Sequence, residues 1–278
     1  MRFRVGLTIG LFMLAAGGIL LAQRPFKEWP AYEYGNFAIP ADGLTPHEWV
    51  RARLRYPDTT GYPGNSIQLG RYGEPFEGYW TMDYPRSDRH LLQGVRRLTR
   101  IDASSLEQVT ALDQTDDIYN WPMLYGVEVG HWDLPQDQAD QLREYLLRGG
   151  FLMVDDFHAD EEWATFLDSL ERVFPDRQPV DIPDNDPIFH TVYDLQDRVQ
   201  IPGAQYLQTG RIYEKDESGR PPHWRAIYDD KGRIMVAICH NMDLGDAWEW
   251  SDSPEYPEKW AGLAYRIGMN YFVYDLTH

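Results

Sequence analysis

The sequence predicts an α/β fold in which helices flank a mainly parallel β-sheet. The main observation is in residues 121–158, which read as an apolar strand at Met123–Val129, a helix from Pro135 to Arg148 and a strand at Phe151–Val154. Apolar residues keep helical spacing between the two strands, and a glycine pair then supplies a helix stop. A strand–helix–strand unit of this length joins two parallel strands. The second strand is an uninterrupted apolar run, which is typical of burial on both faces.

Polar side chains follow both of these strands at their carboxyl ends. Ligands of parallel sheets bind beyond those ends, so the side chains there are candidate ligand-binding or catalytic residues. They are Glu128, His131 and Trp132 after the first strand, and Asp155, Asp156 and His158 after the second.

Composition bounds the size of the fold and excludes some classes of function. The chain has 278 residues, of which 43% are hydrophobic, enough for one large α/β domain or two small ones. Its formal net charge of −18 and the lack of a basic patch argue against nucleic-acid binding. The acidity indicates solubility first, with cation binding as the alternative. Because Cys239 is the only cysteine, an internal disulfide and a cysteine-rich metal site are excluded.

The N-terminal residues are set apart by their hydropathy. Arg2 and Arg4 precede an uncharged apolar run from Val5 to Ala22. This pattern predicts a signal peptide or an N-terminal membrane anchor over residues 1–22. Residues 5–22 are close to the minimum length for spanning a bilayer, so they would hold the protein in the membrane if uncleaved. We therefore expect an exported protein, either periplasmic or anchored to the membrane.

Residues 23–48 are interpreted as a linker, and residues 49–278 as the α/β domain. Proline, glycine and aromatic residues are common in the first range, without a clear period. The domain opens with the alternating segment Val50–Tyr56, which predicts a strand with one apolar and one arginine face. In so acidic a chain, ion pairing of these arginines within the fold is favoured over an anion site. A long loop rich in glycine and proline follows.

A helix is predicted next, from Asp88 to Thr99, with Ser87 as its N-cap. Its first aspartate suits the helix dipole. Asp83 and Tyr84 lie just before the helix and are candidate ligand-binding residues. A short strand near Val109–Leu112 then leads to the strand–helix–strand unit.

The last part of the chain contributes a helix, a hairpin and a closing helix. The first helix is predicted over His158–Phe174, and the hairpin strands over Trp224–Tyr228 and Ile234–Cys239. Apolar residues from Trp260 to Tyr271 keep helical spacing, which predicts an amphipathic last helix. The candidate site residues after the hairpin are His240, Asn241, Asp243, Trp248 and Trp250.

Three blocks of the sequence resemble a known family. They are WPMLYGVEVGHWDLPQDQADQLREYLLRGGFLMVDDF, the DPIFH loop and GRIMVAICHNMDLGDAWEW. In this order they are similar to the DUF4159 family of exported bacterial proteins of unknown function, over roughly residues 50–278. The resemblance implies the fold of class I glutamine amidotransferase-like proteins, a flavodoxin-like three-layer sandwich with a mainly parallel sheet.

The resemblance also bears on amidotransferase chemistry. True amidotransferases of that superfamily carry a nucleophilic cysteine on a sharp turn after a central strand and a histidine base after a later strand. Here Asp155 and Asp156 occupy the nucleophile position, while His240 keeps that of the base. Amidotransferase activity is therefore not expected. Cys239 lies in a buried-looking strand, where cysteine is usually inert packing.

The candidate residues support binding or acid–base chemistry. Asp155, Asp156 and His240 are the candidate catalytic residues, because paired carboxylates and an imidazole can divide acid and base roles. His131, Asp155 and His240 are the candidate metal ligands, although no short ligand motif is present. No cofactor is certain, and a divalent metal ion is one option. Trp132 and the tryptophans after the hairpin would suit the faces of a sugar, with core packing as the alternative.

Simpler structural roles compete with these assignments. The two aspartates could bond loop amides or cap the next helix, and the histidines could be hydrogen-bonded structural residues. Clustering of His131, Asp155 and His240 would favour metal-assisted chemistry. Separate positions bonded to backbone would favour a binding or structural role.

Three hypotheses of function follow. The first is an extracytoplasmic binding domain that takes a polar small molecule, such as a carbohydrate, or a cell-envelope protein partner in this cleft. The second is a hydrolase, metal-assisted or acid–base, that uses Asp155 or Asp156 with His240. The third is a structural partner in a membrane-associated assembly.

Overall fold

The structure, a computed structural model, describes residues 26–31, 38–59, 68–69 and 75–278. The predicted signal peptide or anchor lies outside these ranges. Within them, no helix combines the length and the apolar character that crossing a membrane requires. The described parts of the predicted linker pack on the domain. Trp29 meets Trp80 edge to face with ring centroids 5.9 Å apart, and Glu28 pairs with Arg89 at 2.7 Å.

The strands of the described ranges, in chain order, are β1 (Ala52–Arg55), β2 (Gln68–Leu69), β3 (Pro75–Phe76), β4 (Gln108–Ala111), β5 (Met123–Val127), β6 (Phe151–Asp155), β7 (Val180–Asp181), β8 (His223–Tyr228) and β9 (Ile234–His240). Seven of them form one sheet in the order β4-β1-β5-β6-β9-β8-β7. Neighbours from β4 to β9 run parallel, and β8 is antiparallel to β9 and β7. The other two strands form a separate antiparallel pair.

The helices of the described ranges are α1 (Arg86–Leu98), α2 (Gln136–Leu147), α3 (Ala159–Val173), α4 (Tyr206–Thr209), α5 (Leu244–Glu249) and α6 (Glu258–Thr277). They cover both faces of the sheet. On one face, Leu91 of α1 and Ile267 of α6 share a core with Tyr125 of β5. On the other, Leu142 of α2 packs in a second core with Leu124. Successive strand residues point to opposite faces, so β5 contributes to both cores. The predicted α/β fold with a mainly parallel sheet is confirmed.

The predicted strand–helix–strand unit is present as β5, α2 and β6. The prediction extended β5 two residues too far, to Val129. Glu128 instead adopts a left-handed backbone conformation with φ 52°, and a turn of 3₁₀ helix over Val129–His131 follows. A residue in that region cannot continue a strand. The Tyr56 hydroxyl donates to the Val127 carbonyl at 2.6 Å and holds the strand end in place.

Arg51, just before β1, and Arg53, within it, are fully buried and ion-paired. Arg51 and Arg53 lie 3.2 and 2.6 Å from opposite oxygens of Asp88 in the first turn of α1. Arg53 also donates to the carbonyls of Trp80 and Met82. Ion pairing within the fold is thus confirmed. This network fixes the segment before α1, which carries Asp83, against the sheet.

Ser87 was wrongly predicted as the N-cap of α1. The helix begins at Arg86, two residues before the predicted start at Asp88, with Pro85 at the cap position. Proline is compatible with a helix start because it lacks the backbone N–H that would have no partner there. The Ser87 hydroxyl accepts a hydrogen bond from Arg53 instead.

Candidate functional site

A cleft of about 470 Å³ lies at the carboxyl edge of the sheet. Glu128 follows β5 directly, Asp156 follows β6, and Asp243 comes three residues after β9. Asp83 reaches the cleft from the connection between β1 and α1. The chain leaves β1 towards β4 and leaves β5 towards β6, in opposite directions across the sheet. Ligands of open α/β sheets bind at such a reversal.

Carboxylates dominate the walls of the cleft. In the part of the chain that the structure describes, thirteen residues line it: Met82, Asp83, Glu128, Asp156, Ala204, Gln205, Leu207, Gln208, Glu214, Asp243, Asp246, Trp250 and Glu255. Seven of these described residues are acidic, and none of the thirteen is lysine or arginine. The Lys215 ammonium pairs with Glu162 at 2.7 Å.

Three of these carboxylates converge in the interior of the cleft. Asp83, Asp156 and Asp243 are 3, 5 and 3% exposed, and one oxygen from each lies within 4.8 Å of the others. Asp243 Oδ1 accepts the Asp246 amide at 2.7 Å. Asp156 Oδ1 lies 3.1 Å from His158 Nε2. Among the residues that the structure describes, neither Asp156 Oδ2 nor Asp243 Oδ2 accepts a hydrogen bond.

Further acidic groups share members with this trio. Asp156 also lies within the same reach of His158 and Glu214, and Asp83 within that of Asp246 and Glu249. A separate group consists of Glu128, His131 and Glu162.

Strained backbone conformations concentrate around the trio. The backbone φ is 58° at Asp83, 55° at Asp156, 63° at Asn241 and 52° at Glu128. Left-handed conformations are uncommon for residues with a side chain, and they persist only where the surrounding structure imposes them. Asp83, Glu128 and Asp156 line the cleft from these positions, whereas the Asn241 side chain bonds neighbouring backbone.

Two glycines let the backbone approach the carboxylates closely. A Cβ at Gly245 would lie 2.1 Å from Asp83 Oδ2. A Cβ at Gly203 would lie 2.4 Å from Asp243 Oδ2 and 2.7 Å from Glu214 Oε1. Neither position can carry a side chain without displacing an acidic group of the cleft.

Burial and mutual repulsion change the acidity of these groups. Burial, with the charges of Asp246 and Glu162, raises the pKa of Asp156 to about 8. Burial and the charge of Asp156 raise the pKa of both Glu128 and Asp243 well above the usual range. In each case the charged form loses hydration and gains negative neighbours.

Asp155 lies beneath the cleft and does not line it. Its Oδ2 accepts the amides of Leu244 and Gly245 at 2.8 and 3.1 Å and the Tyr125 hydroxyl at 3.2 Å. These contacts are the loop-amide role that the sequence offered as the alternative to catalysis. Asp156, by contrast, does not cap α3, whose N-terminus has no side-chain cap.

His240 and His131 lie apart from Asp155. His240 Nε2 is 3.2 Å from the Ala159 carbonyl, and burial lowers its pKa to about 3, so the ring is neutral. His131 stacks on Tyr79 with ring centroids 3.9 Å apart. Among the described residues, no group of possible metal ligands includes Asp155 or His240. The structure therefore does not assemble the metal set expected from the sequence.

The aromatic candidates divide between the core and the cleft. Trp132 stacks on Phe166 and Trp248 packs against Tyr125, both in the interior. Tyr84 is also buried, and burial raises its pKa above the usual range. Trp250 alone among the tryptophans predicted for the site lines the cleft.

Asn241 holds the loop that forms one wall of the cleft. Its Oδ1 accepts the Ala159 amide at 2.8 Å, and its Nδ2 donates to the carbonyls of Ser218 and Pro221. Sequence reasoning missed the cleft residues Glu214 and Asp246. The first lies in an irregular stretch without a signal, but the second follows Asp243 at a spacing of three.

Comparison with known proteins identifies a family for the chain. No curated protein matches it significantly. A family model described as "Domain of unknown function (DUF4159)" matches residues 67–276, which is more than half of the chain. The chain therefore belongs to the DUF4159 family.

Proposed function

We propose that this domain binds a small polar ligand that carries positive charge, in the acidic cleft. The observation that carries the proposal is the lining itself, with seven acidic side chains and no lysine or arginine among the described lining residues. A volume of about 470 Å³ falls within the range of roughly 300–1,000 Å³ that is typical of small-molecule sites.

Electrostatics gives the physical reason for such a ligand. Two ionised carboxylates whose oxygens lie within 4.8 Å repel each other by roughly 3.5 kcal/mol or more at an effective dielectric constant of about 20. A bound cation offsets this repulsion for several pairs at once. Asp156 and Asp243 are buried residues, and each has one carboxylate oxygen that no described residue hydrogen-bonds, which leaves that oxygen for a ligand or solvent.

A neutral carbohydrate has less support as the ligand. Sugar sites commonly use exposed aromatic faces, and two of the three candidate tryptophans, Trp132 and Trp248, are in the core. Trp250 offers a single aromatic surface at the rim.

The hydrolase alternative also has less support in the form that uses Asp155 and His240. Asp155 is committed to backbone amides, and His240 contacts the Ala159 carbonyl away from the acidic trio. Asp156 is the candidate catalytic residue that lines the cleft.

For the fold, we propose the flavodoxin-like arrangement of class I glutamine amidotransferase-like proteins. The five parallel strands β1, β4, β5, β6 and β9, numbered one to five along the chain, stand in the sheet as 2-1-3-4-5, the order of flavodoxin-like folds. Cys239 is buried within β9, and the turn after β6 carries Asp156, so glutaminase activity is not expected.

We also propose export of the protein, on the basis of the apolar run at residues 5–22. The ligand would then come from outside the cytoplasm. A cell-envelope partner or a purely structural role becomes the leading idea if no small cation binds.

Titration calorimetry of the full chain tests the proposal. The probes are calcium chloride, manganese chloride and 1,4-diaminobutane, each at low ionic strength because screening weakens charge pairing. We expect at least one probe to bind, and we expect Asp243→Asn to weaken its binding at least tenfold. Asparagine keeps the cap of α5, so this variant should fold.

Asp197→Asn is the matched control, because Asp197 is exposed and outside the cleft. It removes the same charge from the chain and should leave binding unchanged. Absence of binding by all three probes, or equal loss in both variants, would overturn the proposal.

A further inference from the structure

We infer that the positive charge in this cleft is a divalent metal ion coordinated by Asp83, Asp156 and Asp243. This inference rests on the proposed function and names the chemical class of its ligand. The ion expected is one that prefers oxygen ligands, such as calcium, magnesium or manganese.

Distances within the trio fit a single ion. One oxygen from each carboxylate lies within 4.8 Å of the other two. A point between the three oxygens is then at most about 2.8 Å from each, close to the ~2.3–2.6 Å of calcium–oxygen bonds. Small side-chain rotations would complete the approach.

One oxygen each of Asp156 and Asp243 points to a ligand independently of the charge of the trio. Asp156 and Asp243 are more than nine-tenths buried, and both line the cleft. Each uses one oxygen in a hydrogen bond, Asp156 with His158 and Asp243 with the Asp246 amide. The second oxygen of each has no hydrogen bond from the residues that the structure describes.

Charge favours a divalent ion over an organic amine. The trio carries up to three negative charges, and the nearby ammonium of Lys215 pairs with Glu162 instead. A divalent ion compensates two of these charges when the carboxylates are ionised, whereas a single ammonium group compensates one. Glu214 and His158, which share Asp156 with the trio, supply further oxygen and nitrogen ligands at its edge.

Manganese binding provides a direct test. The full chain is treated with a chelator, desalted and titrated with manganese chloride, and the free aquo-ion is followed by electron paramagnetic resonance. We expect one manganese ion per chain, displaced by excess calcium or magnesium. Asp83→Asn and Asp243→Asn should each weaken the affinity at least tenfold, while Asp197→Asn should not change it.

Thermal unfolding separates this inference from the proposed function. An ion that binds the folded chain raises its melting temperature in proportion to the logarithm of its concentration. A rise with manganese that Asp243→Asn removes supports the inference. A rise with 1,4-diaminobutane and none with metal ions would overturn the inference and leave the proposed function standing. No rise with any probe would overturn both. Circular dichroism of each variant verifies that it folds.

Discussion

Asp155 and Asp156 are adjacent in the sequence, but the first faces the protein interior and the second faces the cleft. Asp155 is the last residue of β6 and turns into the interior, where two amides and a hydroxyl bind its Oδ2. Asp156 follows with a left-handed backbone and faces the cleft. The left-handed backbone at Asp156 thus accompanies the change from a carboxylate bonded in the interior to one that lines the cleft.

The His240 ring should make stability depend on pH at the acidic end. Its folded pKa is about 3, below the ordinary value of 6.5, so only the unfolded chain takes up this proton as the pH falls. Stability is therefore lost as pH falls below 6.5, by up to about 1.4 kcal/mol per pH unit for one proton.

Urea unfolding at pH 6.5, 5 and 4 measures this effect. We expect the difference in stability between His240→Gln and the parent chain to shift in favour of the variant as the pH falls. His190→Gln, the same change at a histidine whose side chain is 36% exposed, is the control for the substitution itself. A constant difference for His240→Gln would contradict the assignment.

At the scale of elements, the wall of the cleft depends on one side chain. Asn241 bonds the first residue of α3 and two carbonyls of the loop over residues 200–222. Gln200 adds bonds to the carbonyls of Gly219 and Asn241. These contacts carry Glu214 to the cleft, although no regular element holds it.

Asn241→Ala should loosen this loop. The variant loses the three hydrogen bonds of the buried Asn241 side-chain amide and places alanine at φ 63°. We expect it to lose about 2–4 kcal/mol of stability. Asn241→Gly loses the same bonds without the backbone cost, so it should be less destabilised than the alanine variant.

Limited trypsin digestion measures the loosening locally. Cleavage after Arg211, which is exposed, should accelerate in both variants. Cleavage at the parent rate would show that the loop is held by other contacts.

The connection between β1 and α1 depends on a buried charge. Asp88 is the carboxylate paired with both Arg51 and Arg53, and all three side chains are excluded from solvent. Asp88→Asn would leave two buried guanidinium groups with less compensation, and we expect a loss of about 3–5 kcal/mol.

An exposed ion pair of the same helix provides the comparison. Asp252→Asn removes the partner of Arg86. The side chains of Arg86 and Asp252 are 31 and 56% exposed, so the variant should lose less than about 1 kcal/mol of stability. Denaturant titration of both variants gives the two values. Similar costs would argue against a stabilising role for the buried pair.

For the whole molecule, one thiol reports on global unfolding. Cys239 is the only cysteine, lies in β9 at 0% exposure, and burial raises its pKa well above the usual range. A thiol reagent should therefore modify the native chain only when the sheet opens.

Labelling rates test this at increasing urea concentrations. We expect the rates to follow the stability measured by circular dichroism. Fast labelling without denaturant would contradict the burial of β9.

The spacing of apolar residues predicted the regular elements well, because the local sequence determines which face of each element is buried. The unit of β5, α2 and β6 and the hairpin of β8 and β9 were found within one or two residues. Positions set by long-range contacts could not be read in this way. Ser87 was misassigned because its hydroxyl bonds Arg53, which is 34 residues distant.

The candidate site was predicted in part for the same reason. Strand ends correctly indicated the edge of the sheet where Glu128, Asp156 and Asp243 meet. The sequence could not separate Asp155 from Asp156, because that difference lies in backbone φ. Glu214 was missed because its loop is brought to the cleft by long-range bonds, including those of Asn241 and Gln200.

Overlap among the acidic groups has a consequence for genetics. Asp156 and Asp83 each belong to two groups of carboxylates, so a substitution at either changes the field felt by all the others. Effects of paired substitutions should then depart from the sum of the single ones. A chain carrying Asp83→Asn and Asp243→Asn together should show epistasis in stability, and variation at one acidic position would constrain what is tolerated at the rest.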